Sequence, residues 1–200
     1  MTAIDQRRAE PRAQIFLLPG TLHCSAEHAI IATILGSCVA VCLWDCARGN
    51  GGMNHFLLPR ASGRDADERY GDIAIERLIE TMSRLGSRRT DLQAKVLGGA
   101  NVLPFGASAV TVGGQNVAMA MDALRCHRVP VVAHRVGGER GIKIWLDTRS
   151  GEVAVRPLSR RAHVGADEKL KRFCSSGRIT RDEATSVEFG MTREAISPAR

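Results

Sequence analysis

Aromatic residues are scarce: five Phe, two Trp and one Tyr in 200 residues. A core with so few rings must be filled by Val, Ile, Leu and Ala. The scarcity also weighs against nucleic acid as a partner, because single-strand sites stack bases on rings set among cations. Tyr70 stands alone, and the arginines are scattered through loops and both ends of the chain. The net charge of +7 is then a general attraction for acidic partners. Long apolar runs are missing as well. None approaches the roughly 20 residues of a membrane helix, so no membrane insertion is expected. The first residues, MTAIDQRRAEPRAQ, carry charge with no apolar stretch behind it. That pattern is not a secretory signal, and the cytoplasm is the expected compartment.

Phosphate-loop patterns are absent too. Gly98-Gly99 and Gly137-Gly138 fit neither G-x-G-x-x-G nor G-x-x-x-x-G-K-[ST] and read as tight turns. There are six cysteines, but no C-x-x-C pair. Cys42 and Cys46 follow Cys38 at intervals of four in a strand-like run, where side chains share a face without converging. Neither a zinc site nor, in a reducing compartment, a disulfide framework is expected. His23, His28, His127, His134 and His163 have no catalytic partner at a telling spacing.

What is present is a globular composition, 44% hydrophobic and 24% charged, in a chain long enough to bury a core. Residues 1–14 read as a flexible N-terminus. Residues 15–158 read as one domain mixing helices and strands. Residues 159–200 read as a charged C-terminal tail, disordered or partly helical. Within the domain, CVAVCLWD alternates as a strand does, with Val39, Val41 and Leu43 on one side and Cys38, Ala40, Cys42 and Trp44 on the other. DCARGNGG reads as a loop and MNHFLLP as a second short strand. RASGRDADERYGD reads as a mobile surface loop. IAIERLIETMSRLG carries a helical stripe of Ile75, Leu78, Ile79, Met82 and Leu85, with Asp72 as cap and Gly86 as stop. AKVLGGA predicts a strand entering a glycine turn. VGGQNVAMAMDALRCHRV predicts a helix with Val117, Met121 and Leu124 inward. VPVVAHRVGG and GIKIWLDT predict strands, with GEVAVRPL as a hairpin partner.

The stretch that carries chemistry is ILGSCVAVCLWDCARGNGGMNHFLLP, residues 34–59. Cys38 read alone is a buried thiol packing as a small hydrophobe. Its surroundings offer a second reading. It follows Gly36-Ser37, where two consecutive N–H groups at a turn can serve an oxyanion. His55 stands 17 residues on, at the start of the next apolar run. Two neighbouring strands would bring the pair together as a nucleophile and its base.

TILGSCVAVCLWD followed by GGMNHFLLP resembles the signature of the CheD chemoreceptor glutamine deamidases. The likeness continues through LPGTLHCS, YGDIAIERLIETM, AKVLGGANVL, VGGQNVAMAMDAL and GGERGIKIWLDTRSGEVAV, about residues 16–157. It implies an α+β fold, mixed β-sheets packed as a sandwich with flanking helices, similar to a toxin-type cysteine deamidase. It implies a protein-glutamine glutaminase that converts receptor glutamines to glutamate, releasing ammonia through a Cys thioester. It carries the nucleophile onto Cys38, the base onto His55 and a third catalytic residue onto Thr33. No metal or organic cofactor is implied. The implied partners are methyl-accepting chemotaxis receptors and a CheC-type phosphatase, and the expected state is a monomer. The alternative is a non-catalytic module that docks on receptors or on that phosphatase. Two positions depart from the family pattern: Arg135-Val136 before the second glycine pair, and Ile142 after Gly141.

Overall fold

The computed structural model describes residues 13–62, 67–101 and 111–159. The expected N-terminal end, most of the C-terminal tail and the middle of the polar loop after Pro59 lie outside these residues.

The chain builds nine strands and two α-helices among the described residues. In order they are β1 (Ala13–Phe16), β2 (Thr21–Ser25), β3 (Ala29–Leu35), β4 (Val39–Asp45), β5 (Asn50–His55), α1 (Gly71–Arg84), β6 (Leu92–Gly98), α2 (Val112–Cys126), β7 (Val131–Val136), β8 (Ile142–Asp147) and β9 (Val153–Pro157). They assemble into two sheets, one in the order β1-β3-β8-β9 and one in the order β2-β5-β4-β6-β7. The α+β expectation with packed sheets and flanking helices holds, and both helices lie on the outer face of the five-stranded sheet.

Alternation along β4 explains this layering. Val39, Val41 and Leu43 pack with Ile75, Leu78, Ile79 and Met82 of α1 and with Ala120 and Leu124 of α2. Ala40 and Cys42 turn the other way, into a cluster with Ile31, Leu35, Met53, Ile144 and Leu146 between the sheets. A strand buried on both faces reads as a continuous apolar run, as VAVCL does. Beta-branched residues suit this pleated, crowded position. The helix α2 is the crossover of a parallel β6–α2–β7 unit, since β6 and β7 run parallel and parallel neighbours need such a connection.

Four short segments carry the chain from one sheet to the other, and two of them shape the site. Residues 17–20 join β1 to β2, and residues 36–38 join β3 to β4. Both leave the strands at the same end of the sandwich: Leu17 N–H donates to Ala32 O at 2.8 Å, and Gly20 N–H donates to His55 O at 2.7 Å.

Three local expectations need correction. The loop after β4 is shorter than the glycines suggest, because Asn50, Gly51 and Gly52 belong to β5. Glycine is there for space: a Cβ on Gly52 would sit 2.5 Å from Cys24 Sγ, and one on Gly51 would sit 2.7 Å from Thr148 Cα. Asp72 is not the cap of α1. Tyr70 occupies that position without a side-chain bond, and the Asp72 carboxylate accepts the Ala61 N–H instead. The buried face of α2 is rotated from the expected one. It holds Gly113, Asn116, Met119, Ala120, Ala123 and Leu124, while Val117 and Met121 pack at its margin.

Leu78 is fully buried in the helix–sheet core. Leu78→Ala is expected to cost about 2–5 kcal/mol by urea denaturation. Glu76→Ala, at an exposed position of the same helix, should stay within about 0.5 kcal/mol of the parent.

Candidate active site

Strand register brings Cys38 and His55 together. Val39 and Phe56 exchange both backbone hydrogen bonds, at 3.1 and 3.0 Å. Continuing this antiparallel register sets Ala40 opposite His55 and Cys38 opposite Leu57. Cys38 and His55 are then diagonal neighbours on one face. Such neighbours lie about 7–8 Å apart, with Cβ atoms somewhat closer. The face is the inner one: Cys38 packs against the cluster between the sheets. The ladder opens at this point. Val41 N–H is taken by the Asn54 side-chain Oδ1 at 2.8 Å rather than by a backbone carbonyl.

Thr33 approaches from the other sheet. It is buried in phase with Ile31 and Leu35 on the inner face of β3, alternating with the less buried Ala32 and Ile34. Its Oγ1 lies 2.8 Å from His55 Nδ1 and 2.8 Å from the Leu17 carbonyl. A hydroxyl has one proton, and a carbonyl can only accept. The Thr33 proton therefore goes to Leu17 O, and His55 must donate from Nδ1 to Thr33. That assignment leaves Nε2 with its lone pair free. Nε2 is buried and makes no hydrogen bond, so it is the imidazole atom available to the thiol of Cys38. His55 and Thr33 are 2% and 1% exposed, whereas Cys38 is only partly buried and can be reached from outside.

Burial sets the resting protonation. It pushes the Cys38 thiol above its usual range, against a smaller lowering from the residue's own backbone amide. It pushes the His55 imidazole down to about 4. Both shifts favour the uncharged form. The resting pair at neutral pH is thiol and imidazole, not thiolate and imidazolium.

The turn before β4 is held by its carbonyls. Ala100 N–H donates to Gly36 O at 2.8 Å, and Gly99 N–H donates to Cys38 O at 2.8 Å. Asn116 Nδ2 donates to Ser37 O at 3.1 Å and to Leu57 O at 2.8 Å. The Ser37 and Cys38 N–H groups make no backbone bond to any described residue. Gly36 does not take a positive φ; the left-handed residues of the site are Gly98 and Gly99, at 106° and 68°. Gly98 must lack a side chain for a second reason: a Cβ there would lie 2.3 Å from Cys38 O. The glycine pair read as a plain turn thus cradles the cysteine's backbone.

Of the residues named from the sequence, Thr33 and His55 are hydrogen-bonded to each other, and Gly36, Ser37 and Cys38 form the turn into β4 at the same end of the sandwich. Sequence reading missed Asn116. The available signal was a polar residue in the small-residue stripe Gly113, Asn116, Ala120 and Ala123. The other described histidines and cysteines do not join the site, and His163 and Cys174 lie outside the described residues. His28 Nε2 pairs with Asp147 at 3.0 Å, and Cys42 is buried on β4. No group of three or more metal-ligating side chains occurs among the described residues.

A two-sheet α+β protein with a cysteine, a histidine and a threonine gathered where its chain crosses between sheets is the class defined by this geometry. Comparison with known proteins gives the family. The CheD chemotactic sensory transduction family matches residues 57–157. A Rhodospirillum rubrum protein named probable chemoreceptor glutamine deamidase CheD is 50% identical over 143 residues, 72% of this chain and 81% of that one. A Trichlorobacter lovleyi protein of the same name is 46% identical over 151 residues, 75% of this chain and 94% of that one. An Anaeromyxobacter dehalogenans protein, CheD 1, is 44% identical over 147 residues, covering 74% and 86%. The chain belongs to the CheD family. Among solved structures, the Bacillus licheniformis hypothetical protein YfiH aligns with 51% of this chain and 46% of its own. Its TM-score of 0.34 and 15% identity are too slight to bear on fold or function.

The buried imidazole makes stability depend on pH. An unfolded chain's imidazole titrates near 6.5, the folded one near 4. Between those values the unfolded state binds more protons, so stability is complete above about pH 6.5 and falls as pH drops toward 4. Between pH 7 and 4.5 this site should account for about 2–3 kcal/mol of lost stability. His55→Asn should lose that much less over the same interval, read as urea midpoints at the two pH values. Gly98→Ala should destabilise by about 1–3 kcal/mol from backbone strain alone, measured by the same method.

Proposed function

We propose that this protein is a chemoreceptor glutamine deamidase, hydrolysing glutamine side-chain amides of methyl-accepting chemotaxis receptors to glutamate. The observation that carries this reading is the Thr33–His55 hydrogen bond, which leaves His55 Nε2 unbonded on the strand face that Cys38 shares. The names of the relatives supply the substrate class. Residues 15–158 form the catalytic domain in this reading, acting as a cytoplasmic monomer with a CheC-type phosphatase as regulatory partner.

An amide is a weak electrophile, so the thiol needs a base at the moment of attack. His55 Nε2 takes the Cys38 proton as Sγ bonds to the carboxamide carbon. The carbonyl electrons move onto oxygen, to which the Cys38 and Ser37 N–H groups donate in this reading. His55, now protonated, passes its proton to the nitrogen; the C–N bond breaks and ammonia leaves. A water molecule, deprotonated by Nε2, then attacks the thioester, releasing glutamate and restoring the thiol. The neutral resting pair suits this sequence, because charge appears only when the substrate is there to stabilise it. Thr33 keeps Nδ1 protonated and the ring oriented, as the third member of a triad does. Each turnover exchanges a neutral amide for a carboxylate on the receptor.

Ammonia release and intact mass of a receptor cytoplasmic fragment test the proposal. Wild type should add about one mass unit per modified site by this thioester route. Cys38→Ala should lower the rate by at least about 10³-fold while remaining folded. Thr33→Val should retain the thiol but lose roughly 10- to 100-fold in kcat through the disordered imidazole. Full activity in Cys38→Ala would refute the mechanism.

A further inference from the structure

We infer that Asn116 is a positioning residue for deamidation, fixing the Ser37–Cys38 peptide so that the Cys38 N–H faces the substrate oxyanion. The inference rests on the deamidase reading above and assigns a role to a residue outside the Cys–His–Thr group.

The turn presents three carbonyls, those of Gly36, Ser37 and Cys38. Those of Gly36 and Cys38 are bound by the backbone N–H groups of Ala100 and Gly99. The carbonyl of Ser37 is bound by a side chain, at 3.1 Å from Asn116 Nδ2. A trans peptide is planar, with its C=O and N–H pointing opposite ways. Anchoring Ser37 O to α2 therefore turns the Cys38 N–H away from the helix. That amide lies close enough to its own Sγ to lower the thiol's pKa, so it sits beside the atom at which the oxyanion-bearing carbon is formed.

The second Nδ2 proton of Asn116 goes to Leu57 O at 2.8 Å. Leu57 stands opposite Cys38 in the strand register and two residues past His55. One carboxamide thus ties the nucleophile's turn to the strand of the base. Its orientation is unambiguous, because both neighbours are carbonyls and only the NH₂ half can serve them. The other half is sacrificed: Oδ1 is buried without a partner. A leucine would fill the position without leaving an orphaned acceptor. Its two donors, aimed at the two catalytic segments, are what the asparagine contributes.

Asn116→Ala and Asn116→Ser separate this role from a merely structural one. Four quantities are read: kcat and KM for a receptor fragment, the pH profile of Cys38 alkylation by iodoacetamide, and the melting temperature. Alkylation displaces iodide at a saturated carbon and creates no oxyanion. The expected result for Asn116→Ala is a kcat lower by about 10²- to 10³-fold, a KM within about twofold, and an alkylation profile displaced slightly to higher pH, as the amide's lowering of the thiol is lost, with its plateau rate unchanged. Asn116→Ser, keeping one short donor, should fall between Ala and wild type, and it carries the test if Ala does not fold. Unchanged kcat in either folded variant would overturn the role. So would parallel losses in kcat and alkylation, or failure of both variants to fold, each of which marks a structural residue. A wild type that alkylates normally yet releases no ammonia from any receptor fragment overturns the deamidase reading itself, and this role with it.

Discussion

A 2.8 Å hydrogen bond between the His55 imidazole and the Thr33 hydroxyl joins the two sheets at the point where the chain crosses between them. The geometry of the site depends on it. Because the Thr33 proton is already committed to Leu17 O, the bond has one polarity, and the imidazole has one tautomer. The segment at residues 17–20 secures both ends, accepting from Thr33 through Leu17 O and donating to His55 O through Gly20 N–H. The base is thus oriented by a sheet to which it does not belong. A sandwich that slid or opened would lose the tautomer before it lost its core.

The site is costly, and the costs lie together. Among the described residues, the buried polar side-chain atoms without a partner are Asn54 Nδ2, His55 Nε2 and Asn116 Oδ1. Each such orphan costs about 1–3 kcal/mol. All three belong to residues that shape one small region: Asn54 opens the β4–β5 ladder, His55 is the proposed base, and Asn116 holds the turn. The apolar clusters on both faces of β4 offset what is given up at this end. Strain follows the same pattern, with Gly98 and Gly99 in left-handed backbone beside the cysteine's carbonyl.

The two faces of β4 were legible because strand alternation has a period of two and the residue types match it. The buried stripe of α1 was legible for the same kind of reason. Cys38 and His55 stood out as chemistry-bearing types at either end of two apolar runs, and Thr33 came from family resemblance. The register that makes Cys38 and His55 diagonal neighbours was not legible, since periodicity gives faces but not partners. Nor was the assignment of Gly51 and Gly52 to a strand. Glycine signals a turn in isolation, and the crowding by Cys24 and Thr148 exists only in the folded chain. Asn116 escaped notice because a polar residue in a helix is usually solvated; its meaning lies in two carbonyls far away in sequence.

The central claim is that His55 carries its proton on Nδ1 and presents a bare Nε2 to Cys38. Nitrogen NMR of the protein with ¹⁵N-labelled histidine, near neutral pH, reads this directly. The account predicts a protonated, pyrrole-type nitrogen at Nδ1 and an unprotonated, pyridine-type nitrogen at Nε2, with the Thr33→Val variant losing that preference. A resting His55 protonated at Nε2, or at both nitrogens, would contradict it.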